Sequence, residues 1–232
     1  MKQTLNHRIR IEAFTLIELM IVISIIAILA AMLFPAGAMI KRKAQFRKAR
    51  TELIQLEIAI GAYKTRNGYF PPDNRQNFAL NPLYFELKGS KLTGNSYQTL
   101  DNRVTLLDTD VSAAFGGGVA GFMNCTRGGG DDTAPAQDYL KEFKPGQYLI
   151  GTYAGKTIGL MTCTVQWSRD LPAVVPGFTP SDPSVYPNPW PYKSSNATNN
   201  VGQYDLWVDL IVGGKTNRIS NWSTAPQVVY DP

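Results

Sequence analysis

Histidine and cysteine are scarce in this chain of 232 residues, which has one histidine, His7, and two cysteines. Because His7 lies close to the N-terminus, the rest of the chain has no imidazole for a Ser-His-Asp or Cys-His scheme or for a histidine-ligated zinc. Two cysteines are too few for a four-cysteine zinc site. The acidic pair Asp131-Asp132 lies in a glycine-rich stretch with no sign of a cleft. The sequence therefore predicts a protein that is not an enzyme and needs no cofactor.

The two cysteines, Cys125 and Cys163, are either bonded to each other or free. In a compartment outside the cytoplasm, an even pair favours one disulfide bond. On the chain-entropy model, closing that loop stabilises the fold by roughly 4 kcal/mol. Two free thiols are equally compatible with the residue pattern.

Charge is almost absent between Phe14 and Ile40, where Glu18 is the single exception. These 27 residues form about 40 Å of helix, more than the thickness of a bilayer's hydrocarbon layer. We therefore predict a transmembrane helix over residues 14–40. Pro35 cannot donate a hydrogen bond to the carbonyl of Ala31, which predicts a kink or local loosening there. An ionised carboxylate at bilayer depth is costly, so Glu18 requires a partner.

Positive charge is concentrated in one short segment. Residues 41–50, KRKAQFRKAR, hold six basic residues and no acid, and we call them the basic segment. Residues 1–13 carry a net charge of +2 and residues 51–232 a net charge of −2. A nucleic-acid-binding protein usually spreads basic residues over its folded domain. We therefore expect no nucleic-acid partner.

The pattern of apolar residues changes after the basic segment. Apolar residues recur at spacings of 4, 3, 4 and 3, at Ala49, Leu53, Leu56, Ile60 and Tyr63. This period predicts an amphipathic helix over residues 41–67 with one buried stripe. Asn67-Gly68 supplies a helix end, and Pro71-Pro72 forbids continuation. The sequence thus predicts one helix of about 50 residues, apolar all round in its first half and amphipathic in its second.

Residues 68–232 are predicted to form an α+β globular domain. A short helix or strand is expected around Leu83–Leu87, and strands at GQYLIGTYAG, KTIGLMTCTVQW and QYDLWVDLIVGG. Residues 116–130 carry seven glycines and predict a flexible surface loop, which lacks the lysine and Ser/Thr of a P-loop. Residues 170–200, rich in Pro, Ser and Asn, predict a second loop. The late aromatic residues are expected to pack in the core rather than form a binding face: Trp190, Tyr192, Trp207 and Trp222.

Three stretches resemble a known family. AFTLIELMIVISIIAILAAMLFPA, which begins at Ala13, resembles the prepilin cleavage and methylation segment of type IV pilins and type II secretion pseudopilins. IAIGAYKTRNGYFPPDN and YDLWVDLIVGGKTNRISNW resemble the helix end and the C-terminal strand and loop of the major pseudopilins. The resemblance covers residues 14–87 and about 202–222. It implies a pilin-like fold, in which the long helix packs on a small antiparallel sheet.

The resemblance also implies processing and assembly. Prepilin peptidase is expected to cut between Ala13 and Phe14 and to methylate the new amine of Phe14, which makes residues 1–13 a leader. The family usually has glycine before the cut, where this chain has Ala13. Glu18 is then expected to pair with the Phe14 amine of a neighbouring subunit. It could instead pair with the amine of its own chain or reach to the membrane interface. Loosening near Pro35 is expected to help the helix adapt to filament packing.

The family's C-terminal loop often holds calcium through several acids. Here Arg218 stands where the family tends to have an aspartate, and Lys215 adds a second positive charge. Asp205 and Asp209 are the only acids nearby, whereas calcium needs six to eight oxygen ligands. We therefore expect no calcium, and a loop closed by its own hydrogen bonds and by packing of Trp222.

The function that the resemblance implies is that of a structural subunit of a type II secretion pseudopilus. Such a subunit polymerises with itself and with other pseudopilins, and depends on prepilin peptidase and an inner-membrane assembly platform. It crosses the bacterial inner membrane once and has a periplasmic C-terminal domain. A type IV pilin for adhesion, motility or DNA uptake is an alternative. A membrane-anchored binding protein that does not assemble is a third hypothesis.

The distribution of charge beside the apolar run favours the opposite orientation. Lysines and arginines usually flank a span on its cytoplasmic side, and the basic segment has more of them than residues 1–13. The processing motif requires a cytoplasmic N-terminus and is more specific, so we follow it. The basic segment is then expected to contact lipid headgroups or acidic faces of neighbouring subunits.

Overall fold

The computed structural model describes residues 14–116, 118–128 and 134–231, with residues 32–38 described by their backbone alone. The chain divides into two compact units, one ending at Lys43 and one beginning at Ala44. The second unit contains the sheets and the buried core. The leader, Asp131-Asp132 and His7 lie outside the described residues.

The long N-terminal helix, α1, spans Leu16–Asn67 and confirms the helix predicted from the apolar pattern. At its C-terminal end, the backbone N–H of Gly68 donates to the carbonyl oxygen of Lys64 at 2.8 Å. Gly68 has a φ of +84°, a left-handed conformation that glycine adopts without a Cβ clash. The predicted end of the helix at Asn67-Gly68 is therefore confirmed.

The remaining elements follow in the second unit. The two shorter helices are α2 (Leu83–Lys88) and α3 (Asp108–Phe115). The strands are β1 (Ser90–Thr93), β2 (Ser96–Thr99), β3 (Thr105–Leu107), β4 (Cys125–Arg127), β5 (Tyr148–Tyr153), β6 (Lys156–Met161), β7 (Thr179–Pro180), β8 (Tyr192–Lys193), β9 (Asp205–Val212), β10 (Lys215–Ser220) and β11 (Ser223–Tyr230). The element predicted around Leu83–Leu87 is the helix α2. The predicted strand stretches contain β5, β6 and β9.

Within the residues that the structure describes, the strands form three small sheets, which corrects the single sheet expected from the family resemblance. Their orders are β3-β2-β1-β4, β6-β5-β7 and β11-β10-β9-β8. Neighbouring strands are antiparallel, except that β1 and β4 are parallel. Most of the strands in the first two sheets come from the middle of the chain, for which the sequence resembled nothing known. The α+β class is confirmed, and the number of sheets was wrong.

The predicted apolar stripe of α1 lies in the core of the second unit. Ala49, Leu53, Leu56, Ile60 and Tyr63 are all buried. On another face of the same helix, Ile54 and Ile58 are 48% and 67% exposed. Arg50 fastens the helix to the C-terminal strands, because its guanidinium donates to the backbone carbonyls of Ser220 (2.7 Å) and Ser223. The amphipathic second half of the helix is therefore confirmed residue by residue.

The glycine-rich stretch is only partly the surface loop that the sequence predicts. Val119 and Phe122 are buried, and the ring of Phe122 stacks on that of Phe85 with 4.2 Å between centroids. Cys125–Arg127 then pairs with β1 as strand β4. The prediction was based on the glycines and did not consider the apolar residues between them, whose burial stabilises the fold.

A buried carboxylate fastens this stretch to α1 and α2. Glu86 on α2 accepts hydrogen bonds from the hydroxyl of Tyr63 (2.9 Å) and the backbone N–H groups of Met123 (2.8 Å) and Asn124 (3.0 Å). Burial raises the pKa of Glu86, although these donors act to lower it. Three elements that are distant in the sequence therefore share one buried acid.

Close backbone approach explains a glycine in strand β6. A Cβ atom at Gly159 would collide with the ring of Tyr84 on α2. The ring of Tyr84 also packs edge-on against Phe85, with 5.5 Å between centroids. Gly159 thus allows the helix to lie against the sheet.

Candidate functional site

The first turn of α1 is closed by Thr15 and Glu18. One carboxylate oxygen of Glu18 accepts hydrogen bonds from the backbone N–H of Thr15 (2.9 Å) and from its hydroxyl (2.6 Å). The Thr15 hydroxyl oxygen in turn accepts from the backbone N–H of Glu18 at 3.3 Å. This reciprocal Thr-x-x-Glu arrangement is a capping box. Glu18 therefore satisfies donors at the start of its own helix.

This geometry adds a residue that the sequence analysis missed. The spacing of Thr15 and Glu18 is the signal that could have identified the capping box. In the uncut chain the nitrogen of Phe14 belongs to a peptide bond, so the expected pairing between Glu18 and a Phe14 amine stays a prediction. Ala13 and the side chain of Pro35 lie outside the described residues, and the roles expected for them also stay predictions.

Apolar side chains surround the first part of α1. Phe14 is 75% exposed. The other large apolar residues up to residue 29 are exposed as well: Leu16, Ile17, Leu19, Met20, Ile21, Val22, Ile23, Ile25, Ile26, Ile28 and Leu29. The hydroxyl of Ser24 donates to the carbonyl of Met20 in the previous turn (2.7 Å), so this polar group is satisfied within the helix.

No helix in the described part of the chain combines the length and the apolar character that crossing a membrane requires. The transmembrane helix predicted for residues 14–40 is therefore not confirmed.

The basic side chains beyond the apolar run are mostly exposed. Lys41, Arg42 and Lys43 are exposed, as are Arg47 and Lys48 in the second unit. Within the residues that the structure describes, none of these five forms an ion pair with a carboxylate.

The disulfide bond that the sequence left open is not formed, because both cysteines are free thiols. Cys125 lies in β4 of the first sheet, whereas Cys163 follows β6 and is buried. Burial and the neighbouring carboxylate of Glu52 raise the pKa of the Cys163 thiol. The thiol therefore stays protonated and has little nucleophilic character.

The two acids near the C-terminal loop are both engaged. Asp205 accepts hydrogen bonds from the backbone N–H groups of Thr198 (2.8 Å), Asn199 (3.0 Å) and Asn200 (2.8 Å). Although burial acts to raise the pKa of Asp205, these donors lower it below its ordinary value. A separate pair joins Asp209 to Arg218, with two contacts of 2.8 Å each.

The late aromatic residues lie in and around strands β8 to β11. Trp190 and Tyr192 are buried, as predicted. Trp207 and Trp222 are half-buried and pack edge to face, with 5.8 Å between centroids. The guanidinium of Arg218 lies over the ring of Trp207 at 5.6 Å from its centroid. These two rings pack against each other, and Trp207 also packs against a cation, rather than forming a flat stacking surface.

The N-terminal segment matches a known sequence family. Residues 10–34 match the family described as the prokaryotic N-terminal methylation motif. This match contains the expected cleavage point, the capping box and the exposed apolar part of α1.

Several curated proteins are similar in sequence to the N-terminal part of this chain. The N-terminal part of the chain is similar to type II secretion system core protein G of Escherichia coli K12, with 40% identity over 64 residues. That alignment covers 28% of this chain and 44% of the relative. The proteins of the same name from Aeromonas hydrophila and Vibrio cholerae are 40% identical over 62 residues (27% of this chain, 43% of the relative) and 41% identical over 58 residues (25% and 40%). The resemblance to pseudopilins that the sequence predicts is thereby confirmed for the N-terminal segment.

The similarity is confined to part of the chain. The chain spans less than half the length of the curated relatives that it matches. No solved structure matches it.

Proposed function

We propose that this chain is a structural subunit of a type II secretion pseudopilus and not an enzyme. The observation that carries the proposal is the methylation motif at residues 10–34, together with the similarity of the N-terminal segment to core protein G. The relatives are secretion-system proteins by name, and the motif is that of a processed prepilin. In this proposal the chain polymerises with itself and with other pseudopilins.

The proposed anchoring depends on the first part of α1. Side chains that are apolar on every face and exposed need either lipid or other apolar helices. We propose that residues 14–40 cross the inner membrane before assembly and pack among equivalent helices afterwards, with the second unit on the periplasmic side. The capping box gives Glu18 partners within its own helix while no neighbouring amine is present.

The first experiment tests processing. The full chain is expressed with prepilin peptidase, and its intact mass and N-terminal sequence are measured. We expect loss of residues 1–13 and one methyl group on Phe14, and we expect Ala13→Gly to be processed at least as completely. A chain that keeps Met1 under these conditions would contradict the proposal, whereas Ala13→Lys is the control that should block cleavage.

The second experiment tests assembly. We expect Glu18→Ala to be cleaved and membrane-associated but to form no filaments, because it lacks the carboxylate that pairs with a neighbouring amine. Ser24→Ala is the matched control in the same helix, since its hydroxyl contacts only its own backbone. Filaments of normal yield from Glu18→Ala would favour the anchored binding protein that does not assemble.

A type IV pilus pilin is the second candidate. The alignment with core protein G accounts for 28% of this chain but 44% of the E. coli relative, so this chain is the longer of the two. Additional length suits a subunit that displays surface features. Deleting the gene separates the two functions: loss of exported proteins supports the pseudopilus, and loss of adhesion, motility or DNA uptake with normal export supports the pilus.

A further inference from the structure

A cavity of about 380 Å³, lined mainly by residues with polar side chains, opens on the second unit. One wall is the first part of α1 within this unit, including Lys48, Glu52 and Gln55, and the other includes Lys144, Gln147 and Thr164. The cavity is therefore lined both by a lysine of the basic segment and by a lysine that lies about a hundred residues later in the chain.

Hydrogen bonds join the two walls of the cavity. Glu52 accepts from the backbone N–H of Thr164 (3.0 Å) and from its hydroxyl. The side-chain amide of Gln147 donates to that of Gln55 at 2.6 Å. The carboxylate of Glu52 is thus already partnered and directed at the wall, and the lining keeps a net charge of +1.

The two lysines of the cavity, unlike Glu52, Gln55 and Gln147, take no part in these hydrogen bonds. The ammonium groups of Lys48 and Lys144 have no hydrogen-bond or ion-pair partner among the described residues, and both side chains are exposed. Several other basic side chains of the unit do pair with carboxylates: Lys88, Lys156, Lys215 and Arg218. Two unpaired ammonium groups at one cavity are suited to an anion with several oxygen atoms, such as a phosphate.

The position of the cavity in the sequence favours one source of phosphate. Lys48 lies eight residues after Ile40, the last residue of the apolar run, and within the basic segment. Basic residues close to a membrane span attract anionic lipid headgroups, and a lysine can extend its ammonium towards them. Residues 51–232 carry a net charge of −2, so the basic segment, which includes Lys48, is the most concentrated positive charge of the second unit.

We propose that the cavity between Lys48 and Lys144 binds the phosphate of an anionic phospholipid headgroup while the subunit waits in the membrane. The site rests on the proposed membrane anchoring of residues 14–40. It also gives a role to a lysine of the basic segment, which lies on the side of the proposed span where lysine and arginine are usually less frequent. Removal of the subunit from the membrane breaks this contact, so lipid binding holds the subunit in its unassembled state.

The test uses the full chain reconstituted in vesicles that contain spin-labelled phosphatidylglycerol or spin-labelled phosphatidylcholine. The ratio of the two association constants is measured by electron paramagnetic resonance. We expect the native chain to prefer phosphatidylglycerol, and Lys48→Gln/Lys144→Gln to reduce the ratio by about thirtyfold, which is about fivefold for each charge removed. Lys48→Arg/Lys144→Arg should retain it. Arg75→Gln/Lys91→Gln removes the same charge at two exposed positions elsewhere and should also retain it.

Several outcomes would overturn the inference. If the two glutamine variants lose the lipid preference equally, the effect depends on net charge and not on this cavity. If inorganic phosphate at millimolar concentration competes with phosphatidylglycerol, the cavity is a general anion site. Carbodiimide cross-links from Lys48 or Lys144 to acids of a second copy, without lipid preference, would assign the surface to a protein contact. Flotation separates this inference from the anchoring: a chain that inserts without preference refutes the site alone, and one that fails to insert refutes both.

Discussion

The part of the chain before Ala44 and the part after it use apolar residues in opposite ways. In the first part, large apolar side chains cover every face of α1 and stay exposed. In the second, one apolar stripe of the same helix is buried in the core, and Ile54 and Ile58 on another face stay exposed. Helix formation is therefore common to both, and only the second part obtains its stability from tertiary contacts. Substitutions in each of the two parts separate these contributions.

The largest effect is expected from the buried acid. Glu86→Ala leaves the donors of Tyr63, Met123 and Asn124 buried without their acceptor, so the free energy of unfolding of the second unit should fall by about 4 kcal/mol. Chemical denaturation of the full chain in detergent measures this change. Glu142→Ala, at an exposed glutamate, is the matched control. A change of less than about 1 kcal/mol for Glu86→Ala would show that the network contributes little.

A somewhat smaller effect is expected from the apolar stripe. Leu56→Ala creates a cavity in the buried core and should lower the free energy of unfolding by about 3 kcal/mol. Ile58→Ala removes an exposed side chain two positions along the same helix, and should change it by less than about 0.5 kcal/mol. Equal effects of the two substitutions would contradict the one-sided burial of α1.

The third prediction concerns acid stability. The folded-state pKa of Asp205 is lowered, so its stabilising effect is present above the ordinary aspartate pKa of about 3.9 and is lost as the pH falls through the folded value. Asp205→Asn should lower the free energy of unfolding by about 1.5 kcal/mol at neutral pH. The difference from the native chain should shrink in acid. Melting curves at a series of pH values measure it, and a constant difference would contradict the assignment.

The smallest effect is expected from the capping box. Thr15→Val removes the hydroxyl that bonds Glu18, and should weaken the first turn of α1 by about 1 kcal/mol. Hydrogen exchange at the amides following Thr15 should become faster, while melting of the second unit stays unchanged. Ser24→Ala should leave both unchanged. A lower melting temperature of the second unit in Thr15→Val would show that the two parts are energetically coupled.

Features that depend on neighbouring residues in the sequence were predicted correctly, and features that depend on contacts between distant residues were not. The length of α1, its end at Gly68 and its stripe from Ala49 to Tyr63 depend on local periodicity and helix termination, and they were predicted correctly. The prediction of a single sheet was wrong, and the glycine-rich stretch is only partly the surface loop that was predicted. Burial of Phe122 against Phe85 depends on pairing across distant parts of the chain, which has no local signal.

The candidate sites divide in the same way. The processing motif was read directly from the sequence, and Thr15 was missed although its spacing from Glu18 was visible. Lys48 was recognised only as part of the basic segment. That Lys144 lies at the same cavity became apparent from the structure alone, because the turn before β5 is brought to α1 by the fold.

By itself, the sequence determined a long helix that is apolar in its first half, the prepilin motif at its start and the buried stripe in its second half. These follow from residue spacing and from the cost of exposing apolar groups to water. Tertiary structure alone decided the three sheets, the shared acid Glu86, the free thiols and the cavity of Lys48 and Lys144. Each of these requires residues far apart in the chain to meet, and their meeting is set by how the whole core packs.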